Sequence, residues 1–245
     1  MDKKQIIQEY KEKKRLLKQE YINKLEELAP NKNNKPVINP PKRSVLEEIG
    51  NAVTHGVGSI FAIVACVLMF KKSNTDMEYF STIVYSFGLF IMFTMSCLYH
   101  SFRHGSAVKR LFRRFDYSSI YLLIGATFAP LLLCYANNLF GLIFFFIQWL
   151  VIATGITFVG VFGPTKLRKL HMILYMVVGW SGIIFIPRML SDNINLFYFI
   201  LGGGLVYSIG IIPFAMKKKC SHFIWHFFVL AGAIVQWIGI YLYIY

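Results

Sequence analysis

The run Lys217–Tyr245, KKKCSHFIWHFFVLAGAIVQWIGIYLYIY, decides how the chain is read. Three lysines precede an uncharged apolar stretch from Phe227 to Tyr245. With the turns before it, that stretch is long enough to cross a bilayer as a helix. His222 and His226 stand at its start, four residues apart. A helix puts both imidazoles on one face, about one turn apart, a spacing suited to gripping one metal ion. Ionisable groups where a membrane helix begins are costly and point to a site. The competing reading is a pair of interfacial histidines that anchor the helix end.

The same pattern extends upstream. Apolar segments at 50–70, 79–100, 117–136, 139–162, 168–187, 194–215 and 222–244 predict seven spans. The fold expected is all-α, an integral membrane bundle of seven transmembrane helices. Pro130 is predicted to kink the third span, where neighbouring helices can satisfy the freed carbonyl. The composition agrees: 56% hydrophobic with 16% charged residues excludes an ordinary soluble domain. A net charge of +14 would suit nucleic acid. The charges lie in a tail and in short loops between apolar segments, however, so a membrane topology explains them and no nucleic-acid partner is expected.

Residues 1–43 read as a basic tail and linker, and 44–245 as the membrane domain. In Met1–Ala29, the residues Ile6, Tyr10, Leu17, Tyr21 and Leu28 share one face of a predicted amphipathic helix. It lies on anionic lipid, pairs with another helix, or is solvated and held by Glu9–Lys13 and Glu20–Lys24 pairs. Pro30–Pro41 reads as the linker. No apolar core appears before about Ala52, so no cleavable signal peptide is expected. Cys66, Cys97, Cys134 and Cys220 show no paired spacing, so no disulfide framework is expected. Cys97 falls three residues before His100 and can share its side.

Loop charge sets the expected orientation. The tail, Arg103–Arg114, Lys166–Lys169 and Lys217–Lys219 are basic, whereas the other side has Lys71, Lys72 and Arg188 offset by Asp76, Glu78 and Asp192. This places the N-terminus in the cytoplasm and the C-terminus outside. Arg110, Arg113 and Arg114 fit that topological role; holding an anionic head group is the alternative.

The unusual polar residues then gather at one depth. His100 ends the second span, Asp116 opens the third, His222 and His226 open the seventh, and Glu48, Asn51 and His55 share a face near the start of the first. Ser96 is four before His100. If these spans pack together, three imidazoles and a water make a catalytic zinc set, with Asp116 holding the water or acting as base. The alternative for Asp116 is a helix N-cap, and for Ser96 a helix–helix contact. Glu48, Asn51 and His55 can steady the ligands. His171 and His104 read as interfacial and solvated.

These residues carry a resemblance. Glu48-x-x-Asn51-x-x-Thr54-His55, Ser96-x-x-x-His100, Phe115-Asp116-Tyr117 and His222-x-x-x-His226 fall in order on the right spans, over about Ser44–Tyr245. The chain resembles the haemolysin III family, the bacterial branch of the progestin and adipoQ receptors, which includes the adiponectin receptors. The resemblance implies zinc near the cytoplasmic face on His100, His222 and His226, with Asp116 reaching it through water. Ser96 belongs to the same set in a wider family that includes alkaline ceramidases. It therefore implies hydrolysis of lipid amide or ester bonds in a cell membrane, with membrane lipids as partners. No protein partner is implied, and oligomerisation stays open. Two other readings remain: a pore-forming haemolysin, and a receptor-like sensor of membrane state with structural zinc.

Overall fold

Side-chain caps set where the helices start. In the computed structural model, which describes residues 2–28, 39–216 and 218–245, helix α1 is Lys3–Leu28. Helix α2 (Val45–Lys72) follows Ser44, whose hydroxyl accepts the Glu47 N–H. Helix α3 (Asp76–Ser101) follows Thr75, which forms a reciprocal capping box with Glu78. Ser106 caps α4 (Ala107–Ala129) by accepting the Lys109 N–H. Asn138 and Asn193 cap α5 (Leu139–Lys166) and α8 (Ile194–Ala215). The fifth span is α6 (Arg168–Trp180), a 3-10 stretch Ser181–Phe185 and α7 (Ile186–Asp192). Helix α9 is Ser221–Tyr243. Among the described residues, seven helical segments are long and apolar enough to cross a membrane, so the chain is an all-α, seven-helix membrane protein.

Two expectations change here. The third span begins at Ala107 rather than near residue 117, because the Ser106 cap starts the helix inside the charged stretch. Asp116 therefore lies more than two turns into α4, and the N-cap reading fails. At Pro130 the helix widens into a π-helical segment, Pro130–Tyr135, in which the Ala136 N–H reaches Leu131 O at 2.8 Å. Proline removes a donor, and the wider turn is how the backbone absorbs it. Most of the predicted linker, residues 29–38, and Lys217 lie outside the described residues.

The chain forms two units, Met1–Ile38 and Asn39–Tyr245. In the first, the exposed Ile6, Tyr10, Leu17 and Tyr21 lie along α1, and Glu20 pairs with Lys24 at 3.4 Å. In the second, α2 packs on α3, α3 on α4, α4 on α5, α8 on α9, and α9 closes back on α2. One core joins Ala62, Tyr85, Leu89, Phe93, Ala126, Val229 and Ala233 from four spans. Gly88 lets α3 approach α4: a Cβ there would strike Ala126 and stand 3.0 Å from Leu122 O. The outer faces keep Ile60, Ile63, Val67, Ile143, Ile147 and Leu150 exposed, which suits lipid tails as solvent.

Candidate metal centre

Two helices supply the three imidazoles of the centre. His100 lies in the last turn of α3, and His222 and His226 lie one turn apart at the start of α9. The entry to α9 is fixed tightly. Cys220 takes a left-handed conformation at φ 60°, uncommon for a residue with a Cβ. The Ser221 hydroxyl lies within hydrogen-bond distance of both Met216 O and Lys218 O. This brings His222 Nε2 to 3.4 Å from His100 Nε2, and His226 Nε2 to 3.3 Å from His222 Nε2. One ligand atom from each of the three residues lies within 4.8 Å of the others.

The donor set fits a tetrahedral metal. Zinc–nitrogen bonds of about 2.0–2.1 Å give N···N edges near ~3.3–3.4 Å, which two of the three edges match. The His100 tautomer agrees. His100 Nδ1 meets Glu48 Oε2 at 2.5 Å, so its one proton lies there and Nε2 keeps its lone pair. Asn51 Nδ2 stands 3.3 Å from the same Nδ1. A nitrogen that donates to Glu48 cannot also accept from an amide, so the Asn51 amide is better turned with its oxygen toward the ring. Buried lone pairs facing one another repel unless a cation lies between them.

The other expected residues are distributed as follows. Asp116 is 6% exposed on α4; its carboxyl lies beside Ser96 and within electrostatic reach of His100. The neighbouring Ser96 Oγ is buried and makes no well-aligned hydrogen bond to protein, so the contact is one of proximity. His55 touches the centre by stacking on His226 at 3.8 Å between ring centroids, and neither of its nitrogens has a protein partner. Cys97 does not join the ligand group, and its Sγ faces Gly56. His104 is exposed, with Nε2 3.0 Å from Pro40 O. His171, in the first turn of α6, is fully buried, with Nδ1 2.9 Å from the Tyr121 hydroxyl.

One residue escaped the sequence reading. Lys109, one of the positive charges between Arg103 and Arg114, is 1% exposed. Its Nζ makes an ion pair with Glu48 Oε1 at 3.1 Å, a charge contact rather than an aligned hydrogen bond, and donates to Phe102 O at 3.0 Å. The available signal was Ser106: a helix capped there puts Lys109 seven residues before Asp116, on the same face.

A cavity leads away from the centre between α4, α6, α8 and α9. Asp116 and His222 border it at one end, and Leu131, Met189 and Gln236 at the other. From Asp116 to Leu131 the helix rises roughly 20 Å, and the lining between is mainly aliphatic and aromatic.

Comparison with known proteins places the chain in a family. The family profile described as Haemolysin-III related matches residues 43–237. The chain belongs to the haemolysin III family. Hemolysin-3 of Bacillus cereus is 34% identical over 206 residues, covering 82% of this chain and 93% of that protein. The Hemolysin-3 homolog of Bacillus subtilis (strain 168) is 32% identical over 195 residues, 78% and 91% of the two chains. The human monocyte to macrophage differentiation factor is 30% identical over 211 residues, 83% and 87% of the two chains. Membership in this family covers the whole span of the seven-helix unit except its last turns.

Proposed function

We propose that this haemolysin III protein is a zinc-dependent hydrolase of lipid amide or ester bonds. The observation that carries the reading is one juxtaposition. Three imidazole nitrogens converge at metal-ligand spacing where a long apolar cavity ends at Asp116 and His222. Three ligands leave a tetrahedral ion one open position, the arrangement of catalytic rather than closed structural sites. Zinc held by His100, His222 and His226 would supply Lewis acidity, for the activation of water near neutral pH and the polarisation of an acyl carbonyl. The cavity takes the acyl chain and aligns its carbonyl end with Asp116. Asp116 accepts the proton of the attacking water and returns it to the leaving amine or alcohol. The Ser96 hydroxyl, buried and lacking an aligned protein partner, donates to the developing oxyanion. Glu48 and Asn51 orient His100, and His55 buttresses His226.

The basic loops support a cytoplasmic N-terminus and a cell-membrane location, with the centre at the cytoplasmic end. The printed names of the Bacillus relatives suggest haemolysis as a second activity. A pore through one chain requires polar lining at every depth. The apolar cavity wall, from Ile120 and Leu123 to Ile200, speaks against that route.

The deciding experiment measures zinc content and fatty-acid release on one purified sample, intact and as His222→Ala/His226→Ala. The expected result is about one zinc per chain with turnover, both lost in the variant. Zinc without turnover on any lipid would replace this reading with the sensor. An intact chain without zinc would remove its basis.

A further inference from the structure

We propose that Lys109 is a positioning residue of the metal centre: it fixes the Glu48 carboxylate so that Glu48 holds the Nδ1 of His100 and turns its Nε2 toward the metal. The inference rests on the metal-centre reading above.

Lysine is rarely buried without a purpose, because desolvating an ammonium costs several kcal/mol before any pairing. Here the directions around Nζ are filled. Glu48 Oε1 lies at 3.1 Å, Phe102 O at 3.0 Å, and the Tyr99 ring centroid at 4.9 Å. The cation is therefore a fixed point rather than a mobile side chain. Glu48 divides its two oxygens between two partners, Oε1 for Lys109 and Oε2 for His100. A carboxylate pinned at one oxygen has little freedom to rotate the other, so the His100 ring inherits its orientation from α4 through Glu48.

Without Lys109, Glu48 has other choices. Its side chain is 15% exposed and borders a surface pocket that Arg43 and Arg103 also line. Arg43 carries a buried Nη1 with no hydrogen-bond partner. A Glu48 released from Lys109 can turn toward that guanidinium and leave Nδ1 of His100 to Asn51 alone. The imidazole then exchanges a charged acceptor for a neutral amide oxygen and loses part of its basicity and its fixed orientation as a ligand. Lys109 also ties the first turn of α4, the helix that carries Asp116, to α2 and to the end of α3.

The test uses the full chain in lipid nanodiscs, stripped of metal by a chelator. Zinc affinity is measured by competition, and the cobalt(II) visible spectrum is recorded, for the intact chain, Lys109→Met, Glu48→Gln and the double variant. The thermal midpoint of each metal-free protein separates loss of structure from loss of positioning. Each single change is expected to weaken zinc binding ~10–100-fold, the range for residues that orient metal ligands, and to alter the cobalt spectrum alike. The double variant should bind no more weakly than Glu48→Gln, because Lys109 acts through Glu48. Unchanged zinc affinity in Lys109→Met, even with a lowered thermal midpoint, overturns the proposal while leaving the metal centre intact. So does a double variant whose loss is the product of the two singles. If Lys109→Met does not fold, the double variant against Glu48→Gln still decides, since it removes both charges together. An intact chain that takes up no metal overturns this proposal together with the reading beneath it.

Discussion

Two buried histidine centres lie near the same end of the bundle, and they differ in what the imidazoles face. His171 and His226 are each 0% exposed, so burial does not distinguish them. His171 meets one hydroxyl, that of Tyr121 at 2.9 Å, and its ring packs with Tyr175. His226 meets another imidazole nitrogen at 3.3 Å, and that nitrogen meets a third at 3.4 Å. A histidine beside a hydroxyl has a donor–acceptor pair that closes the contact at that nitrogen, Nδ1, while its Nε2 is buried with no protein partner. Three Nε2 atoms pointed at one another find only other ring nitrogens, and a cation between them would use all three lone pairs. Convergence of like groups, rather than burial of any one of them, separates a site from a packed core histidine.

The comparison breaks most decisively at the triad. His222→Ala/His226→Ala should abolish stoichiometric zinc and all turnover while the helical content of the purified protein persists. Retained zinc would show that the convergence has no chemical meaning. Asp116→Asn sharpens the contrast by separating metal from chemistry. Turnover should fall ~10²–10⁴-fold, the usual contribution of a positioned proton acceptor, with zinc content unchanged. Full turnover would refute its role as base. Ser96→Ala should cost less, ~10²-fold or somewhat more in turnover, again with zinc retained. A loss confined to KM would assign Ser96 to binding instead of the oxyanion.

The sequence carried the spans and the His222–His226 pair because both are local patterns. Long apolar runs bounded by charged loops need no tertiary knowledge, and His222–His226 share a helix face by spacing alone. His100 could be placed at the same depth from the end of its span. What the sequence could not show was which loop charges leave the loop. Arg114 reaches the Gly160 carbonyl, Arg110 the Gly105 carbonyl, and Lys109 turns inward to Glu48. All three read alike as positive-inside residues, and only the Ser106 cap, which starts α4 early, distinguishes Lys109. The burial of His171 is hidden for a related reason. A histidine next to Lys169 gives no sign of its partner, because Tyr121 is fifty residues away on another span.

The smallest expected effect comes from that second centre. His171→Phe keeps the ring volume roughly constant and removes the partner of the Tyr121 hydroxyl. Tyr121 is 0% exposed, so its O–H would be left without water or protein to bond. An orphaned buried donor costs about 1–3 kcal/mol, read as a lowered thermal midpoint in detergent. Zinc content should be unchanged, because no imidazole of the triad touches His171. Adding Tyr121→Phe removes the orphan as well, and apolar replacement of both partners should recover much of the lost stability. If His171→Phe instead lost zinc as fully as the triad variant, the two centres would be one coupled network. The distinction between converging and closed histidines would then fail for this protein.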